Sequence, residues 1–112
     1  MTALDLRCRV PARLASVSAI FGDAPEPGDV VPVIHRDDPA RVTGYIHSCA
    51  GCGRPVSLDF AGARGGHPQW SVIEGDLARP ESVTLAPSIL HDTAKGGCGW
   101  HGYLRSGVFE PC

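Results

Sequence analysis

The chain has 112 residues, which is enough for one domain with a modest core, and we expect residues 1–112 to form a single domain. Ten basic and twelve acidic side chains are mixed along the sequence and give a formal net charge of −2. A nucleic-acid groove usually needs a basic stripe that displaces counterions from phosphates, and this sequence has none. We therefore expect neither DNA nor RNA as the partner.

Charged side chains interrupt every apolar run in residues 1–23, so this stretch lacks the continuous apolar segment of a signal peptide or a membrane span. We therefore expect a cytoplasmic protein without a membrane partner. In a reducing cytosol the five cysteines are not expected to form disulfides, and metal binding accounts better for four of them. Cys8, isolated near the N-terminus, is left over as a core or surface thiol.

In chain order, the sequence predicts short strands separated by turns. Residues 3–15 have the only helical spacing, and Pro11 would end a helix within them. Segments with alternating or β-branched residues follow at short intervals, at 14–21, 29–34, 41–47, 55–60, 69–74, 82–86, 100–104 and 107–110. Strings rich in glycine and proline lie between them. The sequence therefore predicts an all-β domain of about eight short strands.

Two local features refine the predicted sheet. Pro32 has no N–H to donate to a ladder, so its strand should lie at an edge or contain a bulge. Gly107 can adopt the left-handed conformation that tight hairpins need. Residues 105–107 should therefore close a hairpin between the last two segments.

Cys49 and Cys52 are spaced as in a zinc knuckle, in which the chain turns sharply and both sulfurs face one ion. Gly51 and Gly53 permit that turn. The second pair of ligands must come from elsewhere in the chain. Cys98 is the natural first member of it.

Three partners for Cys98 remain open. If the C-terminal segments form a hairpin, its open ends bring Cys98 and Cys112 together, so that four thiolates could close a tetrahedron. His101 forms a Cys-x-x-His spacing with Cys98 that zinc also accepts, and His47 lies two residues before the knuckle. The preferred ligands of this structural zinc ion, which would contribute folding free energy, are Cys49, Cys52, Cys98 and Cys112.

A serine and a histidine near the C-terminus suggest a second kind of chemistry. Ser88 follows Pro87, which favours a break in strand pairing and could present the hydroxyl at a turn. If Cys112 completes the metal site, His101 is free to take the proton of that hydroxyl, because imidazole titrates near neutral pH.

Other residues bear on this candidate pair. The glycines at 96, 97 and 99 leave backbone N–H groups without side-chain cover, and such groups can hold an oxyanion. His35, His67 and His91 are further available bases. The "HDT" string that contains His91 is typical of an exposed loop.

The sequence also resembles a known family. The segments "VIHRDDPARVTGYIHSCAGCG", "WSVIEGD", "VTLAPSIL" and "CGWHGYLRSGVFEPC", within about residues 30–112, are similar to a small bacterial and phage family first catalogued as a domain of unknown function. Its members also occur in bacterial ubiquitin-like conjugation operons of the Bub type. The shared pattern is a His-x-Cys and Cys-Gly knuckle, a tryptophan segment, Pro-Ser-Ile, and a Cys and His before an aromatic residue and a glycine turn.

The resemblance implies a serine hydrolase that processes or deconjugates a ubiquitin-like protein, with conjugating enzymes as possible further partners. By position, Ser88 would be the nucleophile and His101 the base. Members commonly carry Glu-Glu where this chain has Asp37 and Asp38, so Asp38 would orient His101 as the third group of a triad. Two departures from the family are a knuckle one residue shorter and an aspartate in place of glutamate.

Two other functions compete with this hypothesis. One is a non-catalytic zinc ribbon that binds a protein partner, with Trp70, Trp100, Tyr103 and Phe109 as buried core or contact anchors, of which core is the commoner role for aromatic residues in strands. The other is a hydrolase in which zinc is the catalyst and Ser88 is dispensable. The chain has no H-E-x-x-H motif and no H-x-E beside the knuckle, which disfavours the metalloprotease and deaminase versions.

Overall fold

A computed structural model describes residues 9–22, 26–60 and 69–111. Its strands are β1 (Val10–Pro11), β2 (Arg13–Leu14), β3 (Asp29–His35), β4 (Asp38–Ser48), β5 (Pro55–Phe60), β6 (Gln69–Glu74), β7 (Thr84–Ala86), β8 (Ile89–Leu90), β9 (His101–Arg105) and β10 (Val108–Pro111). One short helix, α1 (Val17–Ile20), and two 3₁₀ turns, Pro80–Ser82 and Thr93–Lys95, complete the described elements. The prediction of an all-β fold is confirmed.

The strands form two sheets. A six-stranded sheet has the order β2-β3-β4-β5-β6-β7, and a four-stranded sheet has the order β1-β10-β9-β8. In the larger sheet, β3 and β4 pair antiparallel, and Pro32 lies opposite Tyr45 with a register shift beginning at Val33. Since β2 pairs only with Asp29 and Val30, Pro32 faces none of the described strands on its other side. Pro32 therefore lies at a local edge beside a bulge, as predicted.

The predicted C-terminal hairpin is also present. Arg105 pairs with Val108 across a turn formed by Ser106 and Gly107. Both turn residues have positive φ, 46° and 76°, which matches the twist of the flanking strands. A side chain at Gly107 would run into the carbonyl of Glu81, so only glycine fits.

Residues from both sheets form one buried cluster. Val30, Tyr45 and Leu58 come from the larger sheet, and Leu104 and Phe109 from the smaller one. Trp100 is fully buried and meets the Phe109 ring edge-on, with 6.2 Å between centroids. Two of the four aromatic residues named as possible contact anchors, Trp100 and Phe109, therefore belong to the core.

The N-terminal prediction is wrong in one place. Residues 14–21 do not form a strand, because the chain leaves β2 at Leu14 and turns into α1. The Ser16 side chain caps α1 by accepting a hydrogen bond from the Ala19 N–H at 3.2 Å, which favours helix over strand here. Cys8 and His67 lie outside the described residues, and so do residues 3–8 of the segment with helical spacing. Within the described residues, no helix is long and apolar enough to cross a membrane.

Candidate functional site: a serine and a histidine beside a thiol and imidazole cluster

The pairing of β8 with β9 brings Ser88 and His101 onto one face of the smaller sheet. Leu90 lies directly opposite His101 in this antiparallel pair, so their side chains share a face. Ser88 lies two residues before Leu90, and side chains alternate along an extended chain, so the Ser88 side chain is on the same face. The His101 Nε2 atom is 2.9 Å from the Ser88 Oγ atom; His101 is exposed and Ser88 is partly buried. With the imidazole proton on Nδ1, the serine hydroxyl donates to Nε2.

Ser88 is held at the junction of the two sheets. It follows the cis Ala86–Pro87 bond, between β7 of the larger sheet and β8 of the smaller sheet. The Trp70 Nε1–H donates to the Ser88 carbonyl at 3.3 Å. Trp70 thus fixes the main chain that carries the hydroxyl and does not serve as a free contact anchor.

The structure does not bring Asp38 to His101. Asp38 begins β4 and accepts a hydrogen bond from the Ala40 N–H at 3.2 Å. At a rise of about 3.3 Å per residue, β4 separates Asp38 by roughly 30 Å from Ser48, the end that lies near Ser88. Asp37, whose N–H donates to the His35 ring at 3.1 Å, belongs to the same hairpin tip. Both aspartates fit the solvated turn that precedes Pro39.

The N–H groups of the glycines at 96, 97 and 99, which the sequence offered as oxyanion donors, are used within their own loop. The Gly96 N–H donates to the Thr93 carbonyl, the Gly97 N–H to Asp92 and the Gly99 N–H to His91, at 3.2, 2.9 and 2.8 Å respectively. These donors are used to close a tight loop between His91 and Trp100. They are therefore not free to bind a substrate.

The knuckle predicted at Cys49 and Cys52 forms a sharp turn. The Gly51 and Cys52 N–H groups point at the Cys49 sulfur, at 3.3 and 3.5 Å, and the Gly53 N–H donates to the Cys49 carbonyl at 2.9 Å. Gly53 has a φ of 79°, which explains the glycine at this position. The turn leaves the Cys49 side chain fully buried, facing the second loop.

That second loop supplies a histidine and a cysteine. The His91 N–H donates to the Trp100 carbonyl at 2.8 Å, and the 3₁₀ turn Thr93–Lys95, capped by the Asp92 side chain, reverses the chain between them. A Cβ on Gly97 would contact the carbonyl of His91, so the reversal requires glycine there. The loop thereby returns Cys98 to the neighbourhood of His91.

Cys49, His91 and Cys98 form a cluster whose ligand atoms all lie within 4.8 Å of one another. The Cys49 sulfur is 2.7 Å from His91 Nδ1 and 3.5 Å from the Cys98 sulfur. Two sulfurs bound to one zinc ion at about 2.3 Å are about 3.8 Å apart in a tetrahedron, so the distance between the Cys49 and Cys98 sulfurs suits a metal. A tetrahedral sulfur and nitrogen pair is about 3.5 Å apart, so the His91 ring would have to move away from Cys49 to bind the same ion. Cys52 is not a member of this group, although it lies on the same knuckle turn and donates its N–H toward the Cys49 sulfur.

Burial sets the protonation of the cluster without a metal. It raises the pKa of the Cys49 thiol to about 12, against opposing hydrogen bonds from the Cys52 and Gly51 N–H groups. Burial also acts to raise the pKa of Cys98, but hydrogen bonds from Trp100 N–H and from the two knuckle thiols outweigh it and lower the pKa. Burial lowers the pKa of His91, so its ring is neutral and has a lone pair for a metal.

Of the three candidates for the fourth ligand, Cys112 lies outside the described residues and stays a prediction. His101 faces Ser88 and is not in the cluster. His47 is fully buried behind the cluster, stacked on Phe109 with 4.9 Å between ring centroids. Burial and the nearby His91 lower the pKa of His47 to about 3.

The candidate metal cluster and Ser88 line one cleft with a volume of about 700 Å³. Ser88, Pro87 and Leu90 lie along one side, and the walls also include Trp70 and Val56. Cys49, His91 and Cys98 line the same cleft. A chain that reached the serine hydroxyl would therefore pass close to the cluster.

Sequence reasoning missed His91, which is buried at 5% exposure instead of lying in an exposed loop. The signal was present in "HDTAKGGC". Aspartate after the histidine is a helix cap, and glycines after the lysine end a short turn. Such a capped turn brings its two ends together, which makes the histidine and the cysteine that flank it a candidate ligand pair.

A family model described as bacterial ubiquitination-like system serine protease (BubE) matches residues 18–112. No curated protein and no solved structure matches the chain. The matched range contains Ser88, His101 and all the cluster residues.

Proposed function

Because the chain belongs to the family of serine proteases of bacterial ubiquitination-like systems, we propose that Ser88 and His101 cleave the bond that follows the C-terminus of a ubiquitin-like protein. The single observation that carries the assignment is the 2.9 Å contact between Ser88 Oγ and His101 Nε2. It is the geometry that an activated serine nucleophile requires. Ubiquitin-like precursors or conjugates are the substrates of this proposal.

The reaction follows from the two side chains. Ser88 Oγ attacks the carbonyl carbon as its proton passes to His101 Nε2. When the tetrahedral intermediate collapses, the carbon–nitrogen bond breaks, and the leaving amine takes the proton from His101. A water molecule, deprotonated by His101, then attacks the ester on Ser88, and the serine recovers its proton as the carboxylate product leaves.

The proposal includes a structural zinc ion held by Cys49, Cys52 and Cys98, with His91 taking the place of Cys112 as the fourth ligand because it lies in the cluster. Three sulfurs and one neutral imidazole are a usual ligand set for structural zinc, and bound zinc would keep the thiols deprotonated. These ligands come from the knuckle after β4 and from the loop that joins β8 to β9. The ion would therefore tie the larger sheet to the two strands that carry Ser88 and His101.

A catalytic metal is the second candidate, favoured by the position of Cys49, His91 and Cys98 on the wall of the cleft that holds Ser88. Three protein ligands with an open fourth position are typical of catalytic zinc. Cys52, which lies on the same knuckle turn as Cys49 and lines the same cleft, offers a fourth ligand and favours a closed, structural set instead. On this second candidate Ser88 would be dispensable.

The test is cleavage of a ubiquitin-like protein that carries a C-terminal extension, by the wild-type chain and by Ser88→Ala. We expect Ser88→Ala to lower kcat by at least about 10³-fold, because the nucleophile is lost. Ser71→Ala, which removes an exposed hydroxyl from β6, should cleave at the wild-type rate. Equal cleavage by Ser88→Ala and wild type would exclude the serine mechanism, and the metal candidate would take its place.

A further inference from the structure

The strand that follows Ser88 has one free edge. β8 is the outer strand of the order β1-β10-β9-β8, so among the described strands only β9 pairs with it. Leu90 is 57% exposed there, although leucine is usually buried. An outer strand presents unpaired main-chain groups that can pair with another extended chain.

The register identifies which main-chain groups are free. His91 lies opposite Trp100 and donates its N–H to the Trp100 carbonyl at 2.8 Å, so it is a hydrogen-bonded position of the β8 and β9 ladder. Hydrogen-bonded and non-hydrogen-bonded positions alternate along an antiparallel pair. Leu90, one residue earlier, is therefore non-hydrogen-bonded, and its N–H and C=O point away from β9.

The free edge ends at Ser88. By the same alternation the Ser88 carbonyl also points away from β9, but it already accepts the Trp70 Nε1–H at 3.3 Å. Leu90 therefore offers a complete donor and acceptor pair, and Ser88 does not. Because Leu90, Ser88 and Trp70 all line the cleft, a chain paired with Leu90 would end its pairing beside the serine hydroxyl.

We propose that the main chain of Leu90 binds an extended segment of the substrate as an added antiparallel strand, on the acyl side of the bond that Ser88 attacks. This inference rests on the proposed function of Ser88. In an antiparallel pair, the substrate residue level with Ser88 lies two positions after the residue paired with Leu90. The residue that exchanges hydrogen bonds with Leu90 is then the third one counted back from the scissile bond.

The occupant is therefore a flexible chain terminus in extended conformation. A helix or a folded surface has no free main-chain donor and acceptor to offer Leu90, because its own secondary structure uses them. The contact at Leu90 reads the main chain, so it selects for extension and not for a particular side chain. The C-terminal tail of a ubiquitin-like protein is such a segment if it is free of the folded domain.

Ester substitution in the substrate tests the proposed register. The probe is a peptide with the C-terminal sequence of a ubiquitin-like protein joined to a fluorogenic amine. Replacing the N–H of the third residue back by an ester oxygen removes the donor to the Leu90 carbonyl and should lower kcat/KM by roughly three- to tenfold. The same replacement at the second residue, whose N–H points away from β8, should change it by less than about twofold. Equal effects at the two positions, or none at either, would overturn the strand.

A variant of the protein tests the Leu90 N–H, which is the protein's own donor in the proposed pairing with the substrate. Leu90→Pro removes the outward N–H without breaking a β9 hydrogen bond, and Leu90→Ala retains that N–H. We expect Leu90→Pro to lose more kcat/KM than Leu90→Ala, with unchanged circular dichroism for both. A loss in Leu90→Ala as large as in Leu90→Pro would mean that the side chain is recognised, which contradicts main-chain pairing.

The two proposals fail in different ways. If the wild-type chain leaves the all-amide peptide intact, the proposed function is wrong. Strand addition is then tested by binding: the ¹⁵N-labelled Ser88→Ala variant is titrated with the same peptide, and its amide resonances are followed by NMR. A shift of the Leu90 amide resonance that is weaker with the third-residue ester supports the strand, and no shift refutes it.

Discussion

At the scale of single residues, the expected contact between Ser88 and His101 is present, whereas the expected contact between Asp38 and His101 is not. The pairing of Leu90 with His101 carries the imidazole to Ser88. A serine after proline and a histidine on a later strand make such a pair available, and the family resemblance singles it out. The carboxylate partner was assigned by position in a family pattern, without geometry. The length of β4 then separates Asp38 from the pair.

This separation predicts unequal effects of two substitutions. His101→Gln removes the proton acceptor at Nε2, and we expect it to lower kcat by about 10³-fold or more. Asp38→Asn, which changes only a charge at an exposed hairpin tip, should leave kcat within about twofold of wild type. Steady-state cleavage of the extended ubiquitin-like protein measures both. A large loss in Asp38→Asn would place that carboxylate in the reaction after all.

At the scale of elements, the strands were easier to predict than the loops. The 69–74 segment matches β6, and the Ser106 and Gly107 turn closes the hairpin where glycine allowed it. The sequence predictions fail where a side chain accepts a hydrogen bond from a main-chain N–H two or three residues further along the chain. Ser16 starts a helix within a predicted strand, and Asp92 folds a predicted open loop into a capped turn. Alternation of apolar residues does not record these local bonds, so the burial of His91 was missed.

The loop between His91 and Cys98 offers a matched pair of glycine substitutions. Gly96 has a φ of 85° and nothing within 4 Å of an added Cβ, whereas a Cβ at Gly97 would meet the His91 carbonyl. Gly96→Ala should cost about 1 kcal/mol of unfolding free energy through backbone strain alone. Gly97→Ala should cost more, at about 2 kcal/mol or above, and should also weaken zinc binding because it displaces His91.

Denaturant unfolding and zinc competition with a chromophoric chelator measure these two quantities. If Gly97→Ala binds zinc as tightly as Gly96→Ala, the loop does not set the position of a metal ligand. His91 would then be a core histidine, as the fully buried His47 is.

At the scale of the whole molecule, the cluster joins the end of β4 in the larger sheet to the loop between β8 and β9 in the smaller sheet. Cys49 follows the longest strand of the larger sheet, and His91 and Cys98 flank the connection between β8 and β9. A chain of 112 residues has a small core, so a crosslink at this junction should contribute a large part of its stability. It also has a direct effect on the relative position of Ser88 and His101, because the same connection joins their strands.

Removal of the metal distinguishes a structural role of the ion from a catalytic role. If zinc is structural, a strong chelator should lower the melting temperature and abolish cleavage together, since the strands that carry Ser88 and His101 lose their common anchor. Ser88→Ala should bind zinc and melt like the wild-type chain, because the hydroxyl lies outside the cluster. Restoring zinc should restore both melting temperature and activity. Loss of cleavage in a chelated protein that still melts at the wild-type temperature would instead assign the chemistry to the metal, and the contact between Ser88 and His101 would have no part in catalysis.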